Sequence, residues 1–135
     1  MHTVAKTLSA NDTSETNAHQ AGILVPKDPS ILSFFPQLSK EDKNPRSHII
    51  FEDQDGSKWE FAFIYYNNKF FGGTRNEYRL TRMTKYIRTS QLSSGDDVIF
   101  TKVNEKYQVN YERKNSVVNK AGVLKLGSNW KVIQI

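Results

Sequence analysis

Ser47-His48-Ile49-Ile50-Phe51-Glu52, the pair Asp55-Gly56, and Lys58-Trp59-Glu60-Phe61-Ala62-Phe63-Ile64-Tyr65-Tyr66 form the stretch that decides the fold. In extended chain successive side chains point to opposite faces. Ile49 and Phe51 therefore fall together opposite His48 and Ile50, while Trp59, Phe61, Phe63 and Tyr65 fall opposite Glu60, Ala62, Ile64 and Tyr66. Asp-Gly between two such runs is a hairpin turn, because the turn needs positive φ and glycine takes it freely. The pattern predicts a β-hairpin whose aromatic face is core. Its opposite face is also largely apolar, which favours a buried sheet over a platform on which bases stack.

Working outward toward the N-terminus, Ser39 to Pro45 is a charged connection, and Asp28 to Pro36 has the marks of a short helix: an Asp cap, Pro29 in the first turn and Pro36 as the stop. Gln20 to Val25 and Thr3 to Ser9 read as strands, separated by the polar segment Ser9 to Asn17. That connection is long for a tight hairpin, and long loops in compact domains often carry function, so residues 9–20 are a candidate site. Toward the C-terminus, a helical turn is predicted within Thr84 to Leu92. Strands follow around Val98 to Val103, Tyr107 to Arg113, Val123 to Leu126 and Trp130 to Ile135. The expectation is a mainly β protein of about seven short strands with one or two short helices, built as a small barrel or sandwich.

The 135 residues suit one domain, 1–135, with a core large enough to need no staples. With no cysteine there are no disulfides or thiolate metal sites, and His2, His19 and His48 lack ligand spacing, so neither metal nor cofactor is expected. No apolar run approaches a membrane span and no signal-peptide pattern opens the chain, which predicts a soluble, cytoplasmic protein without a membrane partner.

The net charge of +5 is concentrated. Lys69, Arg75, Arg79, Arg82, Lys85 and Arg88 face one acid, Glu77, and outside this segment bases and acids balance at 13 each. Charge gathered in one segment makes a local field that attracts polyanions. Four of these six cations are Arg, which favours bidentate recognition. Thr74, Arg75, Asn76, Glu77 and Arg79 are side chains able to read base edges, since Arg forks to guanine, Asn pairs with adenine and Glu accepts from cytosine. Lys85 and Arg88 suit phosphate contacts. In an extended arm Arg75, Glu77 and Arg79 share a side, while Asn76 and Tyr78 face the protein or the backbone.

Other chemistry finds less support. Asp97 followed by Glu112-Arg113-Lys114 has the order of a magnesium nuclease site, but Asp96-Asp97 after Gly95 also fits an ordinary turn. Gly72-Gly73-Thr74 lacks the Gly-Lys-Thr ending of a phosphate loop, and no nucleophile elbow or ordered triad is present, so no catalytic residue is assigned. A small magnesium-dependent nuclease and a protein-binding β module stand as alternatives to DNA recognition.

Leu8-Ser9-Ala10-Asn11-Asp12-Thr13, His19-Gln20-x-Gly22, Tyr65-Tyr66-Asn67 and Phe71-Gly72-x-Thr74-Arg75-Asn76-Glu77-x-Arg79-x-Thr81-Arg82 together resemble the effector-binding N-terminal domains of EcoRII-like restriction endonucleases. The match covers roughly residues 6 to 100. This resemblance implies a DNA-binding pseudobarrel of the plant B-three kind, seven-stranded and open, gripping the major groove of double-stranded DNA with two arms. Carried over, the first arm comprises Lys6, Ser9, Asn11, Asp12, Thr13, His19 and Gln20. The second comprises Lys69, Thr74, Arg75, Asn76, Glu77, Tyr78, Arg79 and Arg82, with Lys85 beyond it. The chain departs from the family at Leu24, Gly73 and Tyr78, positions that bear on base choice and hence on whether the target is of the CC(A/T)GG type. The resemblance also implies a module that binds without cutting, alongside a nuclease domain in the same natural chain.

Overall fold

The computed structural model describes residues 1–13, 22–114 and 129–133. Among them eight strands form one curled sheet: β1 (His2–Thr7), β2 (Ile23–Val25), β3 (Arg46–Glu52), β4 (Lys58–Tyr66), β5 (Glu77–Thr81), β6 (Asp97–Val103), β7 (Lys106–Glu112) and β8 (Trp130–Val132). Their order across the sheet is β2-β5-β4-β3-β7-β6-β1-β8. Neighbours are antiparallel except β3 and β7, which run parallel through Phe51 opposite Tyr107. Two short helices, α1 (Pro29–Leu32) and α2 (Thr84–Thr89), complete the described secondary structure apart from a 3-10 turn at Asn68–Phe71.

The hairpin is paired as its alternation dictates. Phe51 sits opposite Trp59 and Ile49 opposite Phe61. Phe51, Phe61 and Phe63 are fully buried, whereas Ile50, on the other face of β3, is exposed. Asp53 holds the turn, accepting from the backbone amides of Asp55 and Ser57 and from the Trp59 indole. Burial opposes its ionisation, but these hydrogen bonds prevail and keep its carboxyl below the ordinary value.

The curl is nearly closed. Trp130 of β8 donates its indole N–H to the carbonyl of Leu24 in β2 at 2.8 Å, which ties the two edge strands across the seam. Unpaired edges invite pairing with other chains, and curling one edge onto the other removes that liability. At α1, Asp28 caps the amide of Ser30 and Pro29 occupies the first turn, as its sequence requires. The chain that follows plugs the curl: Phe34 is fully buried edge-on to Tyr107, and Phe35 stacks on Phe63 with 4.5 Å between centroids. The architecture is a mainly β, open pseudobarrel.

One sequence expectation changes. The described residues hold eight strands where about seven were expected, and one not foreseen is β5, in the stretch assigned to the second arm, Lys69 to Arg82. There Tyr78 and Leu80 are buried and alternate with half-buried Glu77, Arg79 and Thr81. The alternation is ordinary for a strand, but the charges on its outer side made it look like loop. The strand expected at Val123 to Leu126 lies outside the described residues, and β8 is described only as Trp130–Val132.

Candidate nucleic-acid interface

The second arm leaves β4 at Asn67 and returns into β5 at Glu77. Its base is pinned by two asparagines. Fully buried Asn67 accepts from the Asn44 amide at 2.7 Å and donates to the Asp42 carbonyl at 2.9 Å. Asn68 accepts the Arg75 amide on Oδ1 at 2.7 Å, and its carbonyl accepts the Gly73 amide at 2.7 Å. Gly72 closes the 3-10 turn at φ 93°, and a Cβ on Gly73 would come within 2.8 Å of the Asn68 side chain. Both glycines are therefore demanded by the turn.

Arg75, Glu77 and Arg79 lie side by side on the outer face. A single carboxylate oxygen, Oε2 of Glu77, accepts from Arg75 Nη2 at 2.7 Å and from Arg79 Nε at 2.6 Å. The Arg75 guanidinium also lies 3.9 Å above the Tyr66 ring. Its hydrogen bond to Arg75 is the strongest influence on Glu77 and, against a partial desolvation, it and Arg79 hold the carboxyl below its ordinary value. Arg79 makes a second bond, from Nη1 to the Gly22 carbonyl at 2.9 Å, and its side chain is 19% exposed against 39% for Arg75. Arg75 is offered outward, and Arg79 is built into the wall.

The intervening residues turn inward. Asn76 accepts from the Tyr65 hydroxyl at 2.7 Å. Tyr78 is a correction to the candidate set: its ring is buried, stacked between Tyr65 at 4.2 Å and Phe63 at 5.5 Å. Burial and the neighbouring Tyr65 push its hydroxyl pKa up. A buried ring stacked with two aromatic neighbours from β4 anchors β5 to the sheet.

Lys6 is a second correction. It follows Val4 at strand period on the inward side of β1, opposite Val98, and is 5% exposed. Its ammonium is spent internally, 3.2 Å from Asp12 Oδ2 and 3.0 Å from the Thr7 carbonyl. Asp12 and Ser9 then cap one another: the Ser9 amide donates to Asp12 at 2.9 Å and the Asp12 amide to Ser9 Oγ at 3.2 Å. This reciprocal pattern is a capping box, and it launches the first arm as one helical turn, with Thr13 bonded back to Ser9. Leu8 fixes the base by exchanging backbone bonds with Asp96 and Gly95. Asn11 is exposed on this turn, whereas His19 and Gln20 lie outside the described residues.

Lys69, Thr74, Arg82 and Lys85 are all exposed, as is Arg88. The nuclease-like trio is brought together, since Asp97 pairs with Glu112 in register and Lys114 Nζ lies 3.1 Å from Asp97 and 3.7 Å from Glu112. The carboxylate is occupied, however, by the Thr7 hydroxyl at 2.6 Å and by Lys131 at 3.5 Å as well. Burial would raise Asp97, but these donors outweigh it and hold the carboxyl below its usual value. Among the described residues no group of three acidic or His side chains could hold a metal ion. The trio is an ion-paired clasp for β1, β6 and β7.

Three contributors escaped the sequence reading. Tyr66 underlies Arg75, Asn68 sets the arm, and Gly22 receives Arg79. Gly22 has φ 96°, and a Cβ there would meet the Leu80 carbonyl oxygen at 2.3 Å, so the strand-to-arm contact exists only with glycine. The sole sequence signal was its place in the His19-Gln20-x-Gly22 motif.

Comparison with known proteins gives a consistent picture. The family model described as "Restriction endonuclease EcoRII, N-terminal" matches residues 1–120. The type II restriction enzyme EcoRII of Escherichia coli is 33% identical over 108 residues, covering 75% of this chain and 26% of that protein. A B3 domain-containing transcription repressor of Arabidopsis thaliana is 31% identical over 99 residues, 73% of this chain and 11% of that protein. The chain thus spans about a quarter or less of the length of these relatives. Among solved structures, the Arabidopsis FUS3–DNA complex superposes with a TM-score of 0.63 at 21% identity, covering 82% of this chain and 96% of that one. At that identity the likeness establishes the fold.

Proposed function

Because the chain belongs to the EcoRII N-terminal family of restriction endonucleases, we propose that it is a sequence-specific recognition domain for double-stranded DNA, which grips the major groove with two arms and does not cut by itself. The observation that carries this reading is the Glu77 carboxylate shared by Arg75 and Arg79. A carboxylate beside a polyanion is unfavourable unless it orients donors or reads a base. Glu77 does the former in the free protein, holding Arg75 by its Nη2 while the guanidinium carbon lies 3.9 Å from the centre of the Tyr66 ring. A pre-oriented fork loses little freedom on binding, and Arg is the side chain whose fork matches the O6 and N7 acceptors of guanine.

Roles divide along the strip. Arg75 reads guanine, Arg79 positions Glu77 and the Gly22 strand, and Asn76 and Tyr78 hold the strip to the sheet. In the first arm, exposed Asn11 is offered from a capped turn that Lys6, Ser9, Asp12 and Thr13 stiffen, the Thr13 hydroxyl bonding back to the Ala10 carbonyl at 3.1 Å, and His19 and Gln20 are proposed as further DNA contacts. Lys69, Arg82 and Lys85 contact phosphates at the rim, where they set affinity and salt dependence, and exposed Thr74 lies beside Arg75 as a further base-edge contact. In the natural protein this module serves a nuclease domain of the same chain, as the restriction-enzyme relative suggests.

Selection of bound duplexes from a random pool tests the reading. A recurring site containing G·C pairs supports it, and a pool that stays random after several rounds contradicts it. Incubating the selected duplex with the protein and magnesium should leave the DNA intact, whereas cleavage would transfer function to Asp97, Glu112 and Lys114.

A further inference from the structure

We propose that Phe70, at the tip of the second arm, is a specificity-determining apolar contact that packs on thymine 5-methyl groups in the groove read by Arg75. The inference rests on the DNA-recognition reading above and adds a residue and a chemistry to it. Phe70 is 65% exposed and its neighbour Phe71 44%, two adjacent aromatic rings in water at a position where turns normally carry polar side chains. They are not on a floppy loop. Phe70 donates its amide to the Asn67 carbonyl at 3.0 Å, Lys69 donates to the Arg75 carbonyl at 2.8 Å, and Asn68 clamps both ends of the turn. The same bond from Lys69 fixes the tip against the backbone of the reading arginine.

An apolar ring carried on a fixed backbone beside cations fits a partner that offers negative charge and apolar groups at close spacing. Duplex DNA does so in the major groove, where the thymine methyl is the apolar feature among the hydrogen-bonding edges, and Phe is one of the side chains that contact it. Insertion of an apolar wedge between base steps belongs chiefly to minor-groove binders, so an arm whose Arg75 reads major-groove edges is placed for the methyl instead.

The test uses the duplex selected by the wild-type chain, with each thymine within and next to the site replaced in turn by uracil, which removes only the methyl. Wild type should lose about fourfold in affinity at one thymine or more, the factor that corresponds to burying one methyl group. Phe70→Ala should bind the thymine and uracil duplexes equally, and Phe70→Leu should keep part of the difference. Because the ring is exposed, the thermal melts of both variants should match that of wild type. Indifference of wild type to every uracil, a selected site with no thymine in or beside it, or an undiminished uracil penalty in Phe70→Ala would each overturn the proposal while leaving DNA recognition standing. Failure of wild type to bind any duplex would overturn both.

Discussion

The Nε of Arg79 lies 2.6 Å from Oε2 of Glu77, two residues back on the same face of β5. The same oxygen takes Arg75, so removing its charge loosens two guanidinium groups at once. With its carboxyl held below the ordinary value, Glu77 favours the folded state. That contribution is complete above the unfolded glutamate value of 4.5 and is lost as pH falls through the lower folded one. Glu77→Gln should therefore be less stable than wild type at neutral pH, and the gap should close in acid. Urea unfolding of both proteins at neutral and acid pH measures it, and a gap that does not change with pH would mean that the ion pairs contribute nothing.

Gly22 gives a prediction about the frame. Gly22→Ala forces a side chain into left-handed backbone, which costs about 1–3 kcal/mol, and adds a clash with the Leu80 carbonyl oxygen at 2.3 Å. Gly56→Ala carries a similar φ of 84° with its nearest contact at 3.9 Å, and should cost only about 1 kcal/mol. Denaturant melts of the two variants separate strain from collision.

Lys6 and Asp12 form a nearly buried pair at the root of the first arm. Asp12→Asn leaves the Lys6 ammonium without its countercharge and should cost on the order of 3 kcal/mol, as removal of one partner from a buried pair does. Adding Lys6→Met should restore much of the loss, because the double variant buries no unpaired charge. If Lys6 were a phosphate contact instead, Lys6→Met alone would weaken every duplex without changing the melt.

Binding should fall steeply with salt, with a log-log slope of several units, as cations of the second arm displace condensed counterions. Lys85→Ala should weaken all duplexes about equally and reduce that slope by roughly one. A titration of affinity against salt for both proteins decides whether Lys85 touches the backbone.

The hairpin was legible in the sequence to within one residue, Ser47 against Arg46 at its start, because its apolar residues repeat at period two on both sides of an Asp-Gly turn. The Asp28 cap and the alternation of Arg75, Glu77 and Arg79 were legible for the same reason, as local rules. What was not legible depends on contacts between distant segments. Lys6 was placed in the first arm by the resemblance alone, and nothing in a linear reading brings Asp12 to its ammonium. Tyr78 entered the candidate set through the resemblance although the alternation already turned it toward the protein, where Tyr65 and Phe63 of β4 stack with it. Glu77 to Thr81 passed for loop because outward charges obscured Tyr78 and Leu80 between them. The trio Asp97, Glu112 and Lys114 was correctly gathered from spacing, yet Thr7 and Lys131, which fill its carboxylate, come from other strands.

Sequence discrimination rests on Arg75 as a reader of base edges, and one measurement addresses that directly: the affinity of wild type and Arg75→Ala for the selected duplex and for a scrambled duplex of equal composition. Loss of a bidentate base contact should cost about 1–3 kcal/mol on the selected duplex and much less on the scrambled one, so that discrimination shrinks. Equal losses on the two duplexes would make Arg75 a phosphate clamp and would contradict the reading strip.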